Sequence, residues 1–147
     1  MSLEHREELK AFLTDIWGED DAFVFLAVKR EKGKFEVPNA RNWPQDSDLM
    51  VNWALSQSAK GNDVYYSMAH YSEPFSKAKE YVLGARTLWV DLDGNAADAL
   101  ASLPVLGLPA PTYRVATGRE GHEHWYWLLG REAGVQPLEE LNQRIAY

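Results

Sequence analysis

TLWVDLDG, residues Thr87–Gly94, is the stretch on which the reading of this chain turns. Leu88, Trp89, Val90 and Leu92 are apolar, and branched and aromatic side chains favour an extended strand that ends at the Asp93-Gly94 turn. Residues two apart in a strand point to the same face. Asp91 and Asp93 therefore project side by side, while Val90 and Leu92, with Trp89, serve packing. Two carboxylates so placed repel unless a cation or a proton joins them. Hard divalent ions such as Mg²⁺ or Mn²⁺ accept an oxygen pair of this kind. A plainer reading, a strand running into an acidic turn, is equally compatible with the spacing. What favours a ligand role is the cost of leaving Asp91 unpaired among apolar neighbours.

The second informative stretch is TGREGHEHWYWLL, residues Thr117–Leu129. Gly118 and Gly121 permit a tight turn whose backbone N–H groups can form an anion-binding nest. Thr117 opens that turn, and Arg119 supplies a guanidinium fork suited to phosphate. His122 and His124 alternate onto one strand face, with Trp125 and Trp127 on the other as core. The two histidines could also be half of a zinc site completed by Asp91 or Asp93.

The remaining elements frame these two strands. Residues 3–16 suit a helix through Leu9, Phe12, Leu13 and Ile16, capped by Ser2 and stopped by Gly18. Ala22–Arg30 reads as one central strand, with Lys32–Val37 returning as its hairpin partner. Pro38–Gln45 is expected as loop. Residues 46–59 form a helix capped by Asp46 or Ser47, with Leu49, Met50, Trp53 and Ala54 as the buried stripe, and Gly61-Asn62 ends it. Asp63–Ala69 is a strand in which Tyr65 and Tyr66 straddle the two faces. Tyr71–Leu83 is ambiguous between a loop and a loop with a short helix. Thr87–Leu92 is a strand, and Asn95 with Asp98 suggests a capped helix through Leu103. Three prolines make Pro104–Pro111 neither helix nor central strand. Thr112–Ala116 and His124–Leu129 pair as a hairpin, and Pro137 starts a last helix carrying Leu138, Leu141 and Ile145. Together these give an α/β (α+β) class: a mixed, largely antiparallel sheet with packed helices, in one domain over residues 1–147.

The totals set limits. Fifteen basic against 22 acidic residues give a net charge of −7, which weighs against coating nucleic acid by bulk charge. A local basic hairpin of Lys29, Arg30, Lys32, Lys34 and Arg41 could still touch a phosphate backbone, although a solvated charged hairpin explains it as well. The absence of cysteine excludes disulfides, thiolate metal sites and cysteine nucleophiles. No apolar run is long enough for a membrane span and no signal peptide is evident, so a cytoplasmic location with no membrane partner is the default expectation.

In order and spacing, Leu88-Trp89-Val90-Asp91-Leu92-Asp93, the Thr117-Gly118-Arg119 turn and His124-Trp125-Tyr126-Trp127 resemble the archaeo-eukaryotic primase (AEP) superfamily, in its primase–polymerase branch from plasmid, phage and mobile-element replication proteins. The DVYYSMA strand and Leu141–Tyr147 fit the same pattern, so the resemblance spans residues 22–147. It implies an AEP/RRM-like core and metal-dependent nucleotidyl transfer in DNA replication, with Mg²⁺ or Mn²⁺ held by Asp91 and Asp93. His124 would contact the incoming nucleotide's phosphates, with Thr117, Gly118, Arg119, Gly121 and His122 around it. A nucleoside triphosphate and single-stranded or primed DNA are the implied partners, and a replicative helicase domain could accompany them in a full-length protein. His122 stands where that family usually has a small residue. The family's third acidic ligand lies further downstream, no Asp follows Asp98, and Glu132, Glu139 and Glu140 are poor substitutes by position. The chain thus reads as the front part of such a domain, with an incomplete active site. An inactive nucleotide or single-strand binding module and a small metal-binding hydrolase are the competing readings.

Overall fold

A computed structural model describes residues 3–30, 33–38, 40–134 and 136–137. The chain divides into two compact units, Met1–Arg86 and Thr87–Tyr147. The expected helix cap at Ser2, part of the basic hairpin at Lys32, and the last helix beyond Pro137 lie outside the described residues.

In the first unit, helix α1 (Leu3–Trp17) buries Leu13, Ile16 and Trp17. Gly18, at φ +83, ends it by donating its N–H to the Thr14 carbonyl at 2.7 Å. Helix α2 (Ser47–Ala59) carries Asp48, whose carboxylate accepts from Lys10 Nζ and from Arg6 Nη2, each at 3.1 Å. Those contacts tie α2 to α1, and the Lys10 ammonium, followed by Arg6, holds the Asp48 carboxyl below its ordinary range.

The apolar run expected as one strand is two. Strand β1 (Ala22–Val24) and strand β2 (Leu26–Lys29) are separated by Phe25, and they belong to different sheets. Ser67 explains the break. Its N–H donates to the Phe25 carbonyl at 2.9 Å, while its Oγ accepts the Phe25 N–H at 3.0 Å. Phe25 thus satisfies its backbone outside either ladder, and its ring turns into a cluster with Ala40 and Tyr71. β2 is central between β3 (Phe35–Glu36) and β5 (Asp63–Tyr66), with antiparallel register to both. β5 stops at Tyr66, short of the expected Ala69, because Ser67 is engaged with Phe25 and accepts the Trp17 indole N–H on its carbonyl at 2.7 Å. Tyr65 and Tyr66 do face opposite ways. Tyr66 stacks edge-on against Phe12 and Trp17, and Tyr65 against the exposed Phe35.

β1 pairs with β4 (Arg41–Trp43), a strand inside the segment expected as loop, and with β6 (His70–Tyr71). β4 exists because the edge of β1 needs a partner, and because Trp43 buries itself edge-on against Trp17. Two further expectations are corrected in α2. Asp46 spends its carboxylate on the Asn42 N–H rather than capping the helix. The buried face is Ser47, Met50, Val51 and Ala54, leaving Leu49 exposed and Trp53 half-buried. The ambiguous Tyr71–Leu83 region resolves into a loop, a 3-10 turn at Lys79–Tyr81, and the start of β7 (Val82–Asp93). β7 is longer than the strand expected over Thr87–Leu92, and its early residues pair with β6.

The second unit holds the rest of β7, helix α3 (Ala96–Val105), β8 (Tyr113–Ala116) and β9 (His122–Ala133), with β9 between β7 and β8. β8 and β9 form the expected antiparallel hairpin, Arg114 opposite Trp125 and Val115 opposite His124. α3 runs two residues past its expected end and contains Pro104. A proline so close to the terminus forfeits a single backbone donor, and the helix is carried over it by the Leu106 N–H on the Ser102 carbonyl at 3.1 Å. Neither Asn95 nor Asp98 caps α3 through a side chain. The Ala96 N–H instead donates to the Gly121 carbonyl at 3.2 Å. The result is a mixed α/β fold with packed helices and largely antiparallel sheet. No described helix is long and apolar enough to cross a membrane.

Candidate functional site

The alternation read from the sequence places the site. On β9, Trp125 and Trp127 are buried, and Trp127 donates its indole N–H to the Pro109 carbonyl at 3.0 Å. His122 and His124, of the opposite parity along the strand, therefore point to the other face, where they meet the acids of β7. His124 Nε2 lies 3.4 Å from Asp91 Oδ1, and His122 Nδ1 lies 3.6 Å from Asp93 Oδ1. The structure thus brings all four predicted side chains together as two neighbouring acid–imidazole pairs. It overturns one premise: Asp91 is not enclosed by apolar neighbours, its side chain being 65% exposed. Exposed ion pairs in general add about 0–1 kcal/mol to stability. Trp89 is also reassigned. It is 39% exposed and shares the alternation of Asp91 and Asp93 rather than that of the packed Val90 and Leu92.

The turn between β8 and β9 is built on its own backbone. Thr117 N–H and Oγ1 both donate to the His122 carbonyl, at 3.1 and 3.2 Å, and His122 N–H donates to the Arg119 carbonyl at 3.1 Å. Gly118 and Gly121 sit at φ +97 and +75, where side chains are strained. Gly121 is required twice over, because a Cβ there would stand 2.7 Å from the Gly94 carbonyl oxygen. Its own carbonyl accepts the Gly94 N–H at 3.0 Å as well as that of Ala96. The predicted glycine turn is therefore clasped, backbone to backbone, to the end of the acid-bearing strand. Among the described residues, the N–H groups of Gly118, Arg119 and Glu120 have no hydrogen-bond acceptor, and all three residues are exposed. Three exposed N–H donors in one turn, beside the exposed Arg119, have the chemical character of an anion-binding nest.

Sequence reasoning missed a third cluster. Arg114 makes two bonds to Glu123, at 2.8 and 3.1 Å, and lies 5.8 Å over the Trp125 ring, while Trp125 Nε1 donates to the same carboxylate at 3.0 Å. The Arg114 bond first, then the indole, holds the Glu123 carboxyl below its ordinary range. A strand register one residue finer than sequence patterning provides was needed to see it. The cluster sits on the Trp125 face of the hairpin, away from the imidazoles.

The basic residues proposed to contact a nucleic-acid backbone lie in the first unit, whereas the acid–imidazole face lies in the second. Two have partners of their own: Arg30 pairs with Glu36 at 3.1 Å, and Lys29 sits 5.5 Å over the Phe35 ring. Lys34 and Arg41 are exposed.

For a divalent ion, the donor set fits in part. Asp91 and Asp93 offer hard oxygen ligands on one face, and Mg²⁺ is commonly held by one or two carboxylates together with substrate phosphates. Among the described residues, no group of three or more histidine, aspartate or glutamate side chains is arranged to hold a metal. A self-contained zinc site of His122, His124 and an aspartate is therefore not formed by them.

No family model matches the chain. No curated protein matches it either. Among solved structures, it is similar to the AEP domain of the primase–polymerase (PrimPol) of cyanophage S-2L, with a TM-score of 0.67 over 96% of this chain and 74% of that one. The sequence identity is 14%, so the likeness is one of fold.

Proposed function

We propose that this chain binds a nucleoside triphosphate at the Asp91–His124 and Asp93–His122 face, and that the site serves metal-dependent nucleotidyl transfer on DNA of the primase–polymerase kind. The observation that carries the reading is the pairing itself. Two carboxylates on one strand face stand against two imidazoles, beside a turn with free backbone donors. The fold shared with a primase–polymerase domain agrees with it.

The roles follow from position. Asp91 and Asp93 would hold Mg²⁺ or Mn²⁺, which when bound offsets triphosphate charge and acidifies a 3′-hydroxyl. His124 and His122 present ring nitrogens within reach of whatever ligand lies on the carboxylates. Arg119 and the free N–H groups of Gly118–Glu120 would orient the distal phosphates, since preformed donors cost no reorganisation when charge develops. In the reaction class, a 3′-hydroxyl gives its proton to solvent as its oxygen bonds to the α-phosphorus, and the bond to pyrophosphate breaks. No covalent enzyme intermediate is needed, so positioning and electrostatics carry the work. Single-stranded or primed DNA would be the second substrate.

A second reading, a nucleotide-binding module without catalysis, is favoured by the lack of a third acidic ligand beside Asp91 and Asp93 among the described residues. Calorimetric titration of the chain with a nucleoside triphosphate, with and without Mn²⁺, tests the shared premise. Metal-dependent binding is the expected result, and no binding under either condition would overturn both readings. Primer extension by the chain then separates transfer from binding alone.

A further inference from the structure

Six tryptophans occupy the chain. Trp17, Trp43, Trp125 and Trp127 are buried, and Trp53 is half-buried and lines a cavity of the first unit together with Val24 and Met50. Trp89 alone stands among the exposed large apolar side chains, at 39%. Among the described residues, its ring stacks on no other ring and its indole N–H has no acceptor. Its position is specific. It lies on β7 two residues before Asp91 and four before Asp93, on the face those acids share, so the ring begins about 7 Å along the strand from the first carboxylate. The clasped Gly118–Gly121 turn is at the other end of that row, beyond Asp93. β7 therefore offers a partly exposed indole and then two carboxylates, and the turn clasped to its end adds a set of free backbone N–H donors.

A ligand with an aromatic ring at one end and phosphates at the other matches that order. We infer that Trp89 is the stacking surface for a nucleobase at this site. The inference rests on the nucleotide reading above and adds to it the residue that holds the base. Tryptophan suits the task because its face stacks on any base, so it contributes affinity without choosing among bases. The base could belong to the free triphosphate or to a bound strand, and the two sources are separable by experiment.

The test measures Trp89→Ala and Trp89→Phe beside the parent chain, by calorimetry in Mg²⁺. The three probes are ATP, inorganic tripolyphosphate and a short single-stranded oligodeoxyadenylate. Loss of a base–aromatic stack weakens binding by about 5- to 150-fold. Trp89→Ala is expected to lose that much for ATP, or for the oligonucleotide if the base comes from a strand. Its affinity for tripolyphosphate, which has no base, is expected to match the parent's. Trp89→Phe, which keeps an aromatic face, is expected to retain most of the affinity. Unchanged affinity of Trp89→Ala for both base-bearing probes would overturn the inference and leave the nucleotide reading standing. An equal loss for tripolyphosphate would assign Trp89 a structural role and overturn it too. If the parent binds none of the three, the nucleotide reading itself fails.

Discussion

Gly121→Ala is the most discriminating perturbation that the fold suggests. Two effects add at this position. The residue sits at φ +75, and an alanine forced into that region costs about 1 kcal/mol. The new Cβ would also stand 2.7 Å from the Gly94 carbonyl oxygen and 2.8 Å from its carbon. These are backbone atoms, which cannot rotate aside as a side chain would. Ordinary contact requires a retreat of about 0.7 Å, which would stretch the 3.0 Å Gly94 N–H bond to Gly121 toward about 3.7 Å, outside hydrogen-bond range. The Ala96 N–H bond to the same carbonyl goes with it. At about 1 kcal/mol for each lost bond, the total is about 3 kcal/mol. Gly107→Ala is the matched control: it lies in the same unit at φ +71, and a Cβ there would meet nothing within 4 Å. It should lose only the conformational part, about 1 kcal/mol. Urea unfolding followed by tryptophan fluorescence reads both variants, since Trp125 and Trp127 are buried on β9. With urea m-values of about 1–3 kcal/mol/M, the difference of about 2 kcal/mol separates the two midpoints by about 0.7–2 M. Equal midpoints for the two variants would refute the claim that backbone contact with Gly94 fixes Gly121.

Other outcomes follow from the same structure. Asp91→Asn should weaken metal-dependent nucleoside triphosphate binding by about tenfold or more, and His124→Ala should weaken nucleotide but not metal binding; calorimetry that finds both affinities unchanged removes the site assignment. Ser67→Ala should cost about 1–3 kcal/mol in urea unfolding, because the Phe25 N–H loses its acceptor next to a buried ring; a loss below about 0.5 kcal/mol would show that Ser67 does not hold the break between β1 and β2. Glu123, with its carboxyl held low by Arg114, contributes stability that is present above its ordinary value of 4.5 and is lost as pH falls through the lower folded value. Acid unfolding of Glu123→Gln should therefore lack that part of the parent's decline, and identical pH profiles would argue against the cluster.

Much of the site was legible because strand alternation is a strict period. Once Asp91 and Asp93 fall on one face and Trp125 and Trp127 on the buried one, the meeting of acids and imidazoles follows from pairing β7 with β9. What failed to read correctly depended on partners distant in sequence. The apolar run 22–30 carries no mark of its break at Phe25, because the cause is Ser67, 42 residues away. β4 has no strand-like pattern of its own and exists as the partner of β1. Asn95 and Asp98 look like a capping pair, yet α3 begins on the Gly121 carbonyl, which local spacing cannot reveal. Trp89 reads as a packing residue by its apolar character, whereas its parity with Asp91 places it on the exposed face.

The backbone clasp between Gly94 and Gly121 has a consequence for how a ligand is met. Swinging the turn away from the acid-bearing strand breaks two backbone hydrogen bonds. At about 1 kcal/mol each, the detached state is held to a few per cent of molecules. A ligand of the proposed kind would therefore meet donors already in place in nearly every copy of the chain. Its apparent affinity would be close to its intrinsic affinity, because no scarce binding-competent population has to be selected first. Association should accordingly follow a single phase whose rate rises in proportion to ligand concentration, without the plateau that a slow opening step imposes.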